Sequence, residues 1–116
     1  MAKPTRPRNL GRAGSKLWRS MVADYDFRPD ELVNLEAACR EADVIDRLQA
    51  AIDEDGFELT VAGSMGQPVA NPLLAEVRQH RSAMRQLLAA LSLPDDAAAA
   101  NRSSKMRGVA AARWSA

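Results

Sequence analysis

The stretch DELVNLEAACREADVIDRLQAAIDEDG, residues 30–56, decides the fold. Leu32, Leu35, Cys39, Ala42, Ile45, Leu48 and Ile52 recur at spacings of three and four, one continuous apolar stripe along an α-helix. Asp30, just after Pro29, is the expected N-cap, and Gly56 is the expected stop. Downstream, NPLLAEVRQHRSAMRQLLAALSLP, residues 71–94, opens with an Asn able to cap and a Pro at the first helical position. Leu73, Val77, His80, Met84, Leu87 and Leu91 then step by four and three as a heptad seam, which Leu74 and Leu88 widen before Leu93-Pro94 ends the helix.

Working outward, Phe57 to Val61 alternates apolar and polar residues and leads into a segment with Gly63 and Gly66, a small hairpin or an ordered loop. On the N-terminal side Ser15 is placed to cap a short helix whose Leu17, Trp18, Met21 and Val22 share a face, and Tyr25 to Pro29 breaks it. Asp95-Asp96 can open a further turn or two. The expected fold class is therefore all-α: an antiparallel helical hairpin with a short N-terminal helix. Residues 1–13 read as a flexible basic arm, 14–94 as a helical oligomerisation domain and 95–116 as a basic C-terminal tail.

A hairpin has one internal face to bury, and the seam of the last helix is wider than one partner covers. A core of about 60 residues is marginal without staples. The chain of 116 residues has a single Cys and a single His, so neither a disulfide nor a protein-only metal site supplies them. Oligomerisation is the remaining solution, with Leu73, Val77, His80, Met84, Leu87 and Leu91 as the expected interface between copies. Arg78, Arg81 and Arg85 on one helix and Glu36, Asp43 and Asp46 on the other offer complementary flanks, within the hairpin or between copies, or else simply solvated faces.

The net charge of +1 conceals strong segregation. Lys3, Arg6, Arg8, Arg12, Lys16 and Arg19 stand in the first twenty residues with no acid, residues 21–60 carry twelve acids against three arginines, and residues 101–116 carry four cations and no acid. The six N-terminal cations are the candidate DNA contacts, because phosphate neutralisation needs clustered cations. A disordered solubilising tail is the alternative reading of that arm. The segment Ser15 to Val22 followed by the long helix could also form part of a helix-turn-helix-like unit.

No catalytic constellation is present, and no cofactor or metal is expected. His80 lies in the apolar seam and Cys39 on the buried stripe, where a thiol behaves as a small hydrophobe. Gly11-Arg12-Ala13-Gly14-Ser15-Lys16 has the wrong glycine spacing for a phosphate loop and follows no strand. No apolar run is long enough to span a membrane, so no membrane partner is expected and the expected location is the cytoplasm.

Gly14-Ser15-Lys16-Leu17-Trp18, the helix with Leu32, Leu35, Ala38 and Cys39, the loop with Gly56, Gly63 and Gly66, Val69-Ala70-Asn71-Pro72-Leu73, and a helix closing on Leu91-Ser92-Leu93-Pro94 follow in an order that resembles short small subunits of bacteriophage terminases. The resemblance spans about residues 14–94. It implies a non-catalytic packaging factor that forms a homo-oligomeric ring, binds double-stranded viral DNA and recruits or regulates the large ATPase and nuclease subunit, in the cytoplasm of the host cell. Arg113 and Trp114, an exposed-type aromatic anchor beside a cation, are the candidate contact for that large subunit, or else a tail packed on its own hairpin. The alternatives are a small dimeric DNA-binding transcriptional regulator and a scaffolding protein with no nucleic-acid role.

Overall fold

The computed structural model describes residues 3–91 and Leu93. The expected turn at Asp95-Asp96, the tail of residues 95–116 and the pair Arg113 and Trp114 lie outside the described residues. The elements are α1 (Arg12–Asp24), α2 (Pro29–Ile52), β1 (Thr60–Ala62), β2 (Pro68–Ala70) and α3 (Pro72–Ala89).

Helix α2 starts two residues earlier than expected. Pro29 takes the first helical position, where its missing N–H costs nothing, and Arg28 rather than Asp30 is the N-cap. The Glu31 carboxylate accepts the Arg28 backbone N–H at 2.8 Å, while the Arg28 guanidinium bonds Asp30 at 3.1 Å and holds that carboxyl below the usual range. Asp30 and Glu31 also sit where the helix dipole favours negative charge.

The chain between α2 and α3 is a two-stranded antiparallel hairpin, one of the two forms expected there, so the all-α expectation holds in its coarse form, a mostly helical molecule with a small sheet. Val61 opposes Val69, both half-buried, and the neighbouring strand residues face outward. At the tip Gly63 N–H donates to the Gln67 carbonyl at 2.6 Å, and Gly66 takes a φ of 81° that a residue without Cβ adopts at no cost. Asn71 joins the hairpin to α3. Its backbone N–H bonds the Leu59 carbonyl at 2.7 Å, its side-chain amide donates to the Glu58 carbonyl at 3.0 Å, and its Oδ1 accepts the Leu73 N–H at 3.0 Å.

Helix α3 returns along α2: Arg81 reaches Gln49, His80 reaches Glu41, and Leu91 closes into the cluster that contains Leu35. Helix α1 packs on α2 as well, with Trp18, Met21 and Val22 against Leu35 and Cys39, so α2 is the central helix. Leu10, Leu17, Tyr25, Phe27, Leu32, Leu88 and Leu93 cover this cluster. The expected two-helix core is thus a three-helix core. The complementary charged flanks do not pair within the chain: among the described residues Glu36 bonds Arg40, Asp43 bonds backbone of the N-terminal segment, and Arg81 meets the neutral Gln49.

Ser15 is not the cap of α1. It is buried inside the helix, which begins three residues earlier with Gly11 as N-cap. The capping group comes from α2. Asp43 Oδ2 accepts the Gly11 N–H and Asp43 Oδ1 accepts the Gly14 N–H, both at 2.7 Å. These are the N-cap and N3 donors that a local capping box would satisfy with two side chains. Both positions are glycine because a Cβ on Gly11 would stand 2.8 Å from Asp43 Oδ1, and one on Gly14 would stand 2.5 Å from Asp43 Oδ2 and 2.6 Å from the Cys39 carbonyl.

Two outcomes test this joint. Asp43→Ala strands two backbone donors and is expected to cost about 2–3 kcal/mol in urea unfolding. Gly14→Ala, which forces a methyl onto backbone, is expected to cost about 1–3 kcal/mol. Losses under about 0.5 kcal/mol would contradict the joint.

Cys39, fully buried, has its thiol pushed up to about 12, first by burial and then by Asp43 and Glu36. The native chain is expected to resist a thiol reagent at pH 8 that labels the urea-unfolded chain at once. Because the unfolded thiol releases its proton near 9.0 and the folded one keeps it to about 12, stability should fall with rising pH across that window. The fall should be shallower in Cys39→Ala, and equal slopes would contradict it.

Candidate nucleic-acid interface

The docking of α1 fixes which of its faces meets solvent. Gly14, Ser15, Trp18, Met21 and Val22 face α2, and Arg12, Lys16 and Arg19 are exposed. At 100° per residue these three cations fall within an arc of about 60°. They form one basic stripe, with spacings of four and three.

The remaining cations of the expected set lie on a strap, residues 3–11, that runs beside α1. Lys3 Nζ donates to the Val22 carbonyl at 2.6 Å, placing an ammonium at the negative end of the helix dipole. Arg6 reaches the Ser15 hydroxyl at 3.4 Å. Arg8 is held by its carbonyl, which accepts from Arg40 Nη2 at 3.2 Å, and its own side chain is exposed. At its inner end, therefore, the expected flexible arm lies against the helices and passes into α1. None of Lys3, Arg6, Arg8, Arg12, Lys16 and Arg19 joins an ion pair among the described residues.

A shallow cleft of about 330 Å³ opens beside the N-terminus of α1, with Asn9, Leu10, Gly11, Arg12, Asp43, Asp46 and Arg47 around it. Asn9 takes a φ of 65° there, a left-handed conformation that asparagine tolerates better than most residues. Arg47 thereby joins Arg12 at one surface, a contribution that sequence reasoning missed because Arg47 sits in the acidic helix. The helix pair α1 and α2 does not present α2 as a basic reading helix. Arg40 is spent on Glu36 at 2.8 Å, and within this pair α1 carries three exposed cations while those of α2 stand among its acids.

Of the expected interface between copies, Val77 and Leu91 are already buried within the chain, and His80 Nδ1 bonds Glu41 at 2.5 Å. Leu73, Met84 and Leu87 are only half-buried. Among the described residues no group of three or more His, Cys, Asp or Glu is placed to hold a metal ion, and no helix is long and apolar enough to cross a membrane.

No curated protein and no solved structure matches the chain. The family model for the small subunit of phage terminase matches residues 15–106, which takes in all three helices from Ser15 onward and the hairpin between them. With most of its length covered by that match, the chain belongs to the phage terminase small subunit family.

Proposed function

We propose that this chain is the DNA-binding and regulatory component of a viral packaging machine, a non-catalytic subunit that binds double-stranded phage DNA and recruits or regulates the large ATPase and nuclease subunit. The observation that carries the DNA-binding part is the stripe Arg12, Lys16 and Arg19, exposed on a helix whose opposite face is locked to the core and without an acid partner among the described residues. Arg8 and Arg47 extend it, while Lys3 and Arg6 contribute once released from Val22 and Ser15. Such a surface meets phosphates without reading bases, so it positions the protein on a duplex.

Assembly into a ring multiplies these stripes on one surface, converting modest single-site affinity into strong binding. Support for self-association comes from the half-buried Leu73, Met84 and Leu87 and from Val33, which stays 68% exposed on α2. Arg113 and Trp114 are the proposed contact for the large subunit. Cys39 as a protonated buried thiol and His80 as a partner of Glu41 fit a non-catalytic role.

The test is retention of duplex DNA as a function of salt. Replacing Arg12, Lys16 and Arg19 together by Gln is expected to lower the slope of log K against log salt by about 2–3, near 0.9 for each phosphate that is no longer neutralised. Unfolding stability should be unchanged. An unaltered slope would overturn the assignment of the stripe. A single short protected site on a dimer, by footprinting and light scattering, would favour a transcriptional regulator instead.

A further inference from the structure

Helix α3 carries a second set of cations that have no acid partner among the described residues. Arg78, Arg81 and Arg85 are all exposed, and their spacing of three and four places them within an arc of about 60°. That is the same geometry as the stripe on α1. The other charged residue of α3, Glu76, lies about 140–180° around the helix from them. Two like-charged pairs, at spacings of three and four, are therefore held on one face, each of which weakens a helix by about 0.2–0.5 kcal/mol when nothing neutralises it.

Three acids of α2 are engaged elsewhere, and Asp46 lies at the cleft beside α1 and joins no ion pair among the described residues. Asp43 caps α1, Glu36 holds Arg40 and Glu41 holds His80. Arg81 donates to Gln49 Oε1 at 2.7 Å, and Gln49 in turn spends its amide N–H on Asp53 at 2.9 Å. A neutral amide thus stands between this arginine and the Asp53 carboxylate, fixing the side chain without an ion pair among the described residues. Arg78 and Arg85 join no ion pair among the described residues.

We infer that Arg78, Arg81 and Arg85 form a second contact surface for the phosphate backbone of the DNA, on a different helix from the α1 stripe. The inference rests on the DNA-binding reading given above. Guanidinium forks match phosphate oxygens in geometry as well as charge, which suits three arginines and no lysine at this surface. Because α1 and α3 both pack on α2, each copy offers DNA two cationic faces joined by an acidic helix that repels the duplex from the ground between them.

The full chain is measured with a duplex of fixed length across a salt series, as wild type, as the Gln triple variant of α1, and as Arg78→Gln with Arg85→Gln. Arg81 is kept so that its bond to Gln49 survives. The α3 variant is expected to lose about 2 from the salt slope and to bind about tenfold or more weakly at fixed salt, with native mass unchanged and the unfolding midpoint equal or slightly raised. An α3 variant with unchanged slope and affinity, beside a weakened α1 variant, overturns this inference and leaves the DNA-binding reading intact. A fall in native mass overturns it too, since the arginines would then pair with acids of a second copy, and Arg78→Lys with Arg85→Lys should restore that mass. Wild-type protein that retains no DNA defeats the DNA-binding reading itself.

Discussion

One carboxylate fixes how the N-terminal strap and α1 sit on the rest of the chain. Asp43, in the middle of α2, satisfies the backbone donors of Gly11 and Gly14, 32 and 29 residues away in sequence. The two donors belong to the positive end of α1, so the bond is charge-assisted and dipole-assisted at once. It also sets the rotation of α1 about its own axis. With Gly14 pressed against the Cys39 carbonyl, Trp18 and Met21 one and two turns later must enter the core, and Arg12, Lys16 and Arg19 must leave it. The strap follows the same constraint, with Arg40 holding the Arg8 carbonyl and Lys3 closing on the last turn of α1.

The same bond changes the meaning of the acidic helix. Counted by charge, α2 opposes DNA along its whole length. Counted by bonding, Asp43 is consumed by backbone, Glu36 by Arg40 and Glu41 by His80. What remains exposed is concentrated toward the two ends, around Asp30 and from Asp46 to Asp55. The near-zero net charge is thus a sum over surfaces that are separately basic and acidic, which is why it says little about partners.

Much of the fold is legible in the sequence where the determining chemistry is local. Asn71-Pro72 opens α3 as expected because capping and the proline position act within three residues. The α2 stripe is legible because burial repeats with the helical period. The start of α1 is not, since a helix opening Gly-Arg-Ala-Gly has poor intrinsic propensity and its cap comes from a residue nearly thirty positions away. Ser15 therefore takes the role of cap in any local reading, although it is buried. The candidate site was half legible for the same reason: the six cations are evident from composition, but their division into a strap and a helical stripe depends on where α1 begins. Arg47 is invisible to composition, because only folding brings it beside Arg12.

The glycine pair that resembles a phosphate loop has a physical account in this arrangement. A phosphate loop presents backbone N–H groups at a helix start to an anion, and glycines let the anion come close. Gly11 and Gly14 do present N–H groups at a helix start, and a Cβ at either would collide with the anion. The anion is the chain's own Asp43. Two of the N–H groups at this helix start are already taken by a covalently attached carboxylate, so the resemblance in composition reflects a shared solution for bringing an anion to a helix, used here for folding. The positive end of α1 thus carries a built-in counter-charge, and the exposed cations of the helix, Arg12, Lys16 and Arg19, stand along its flank.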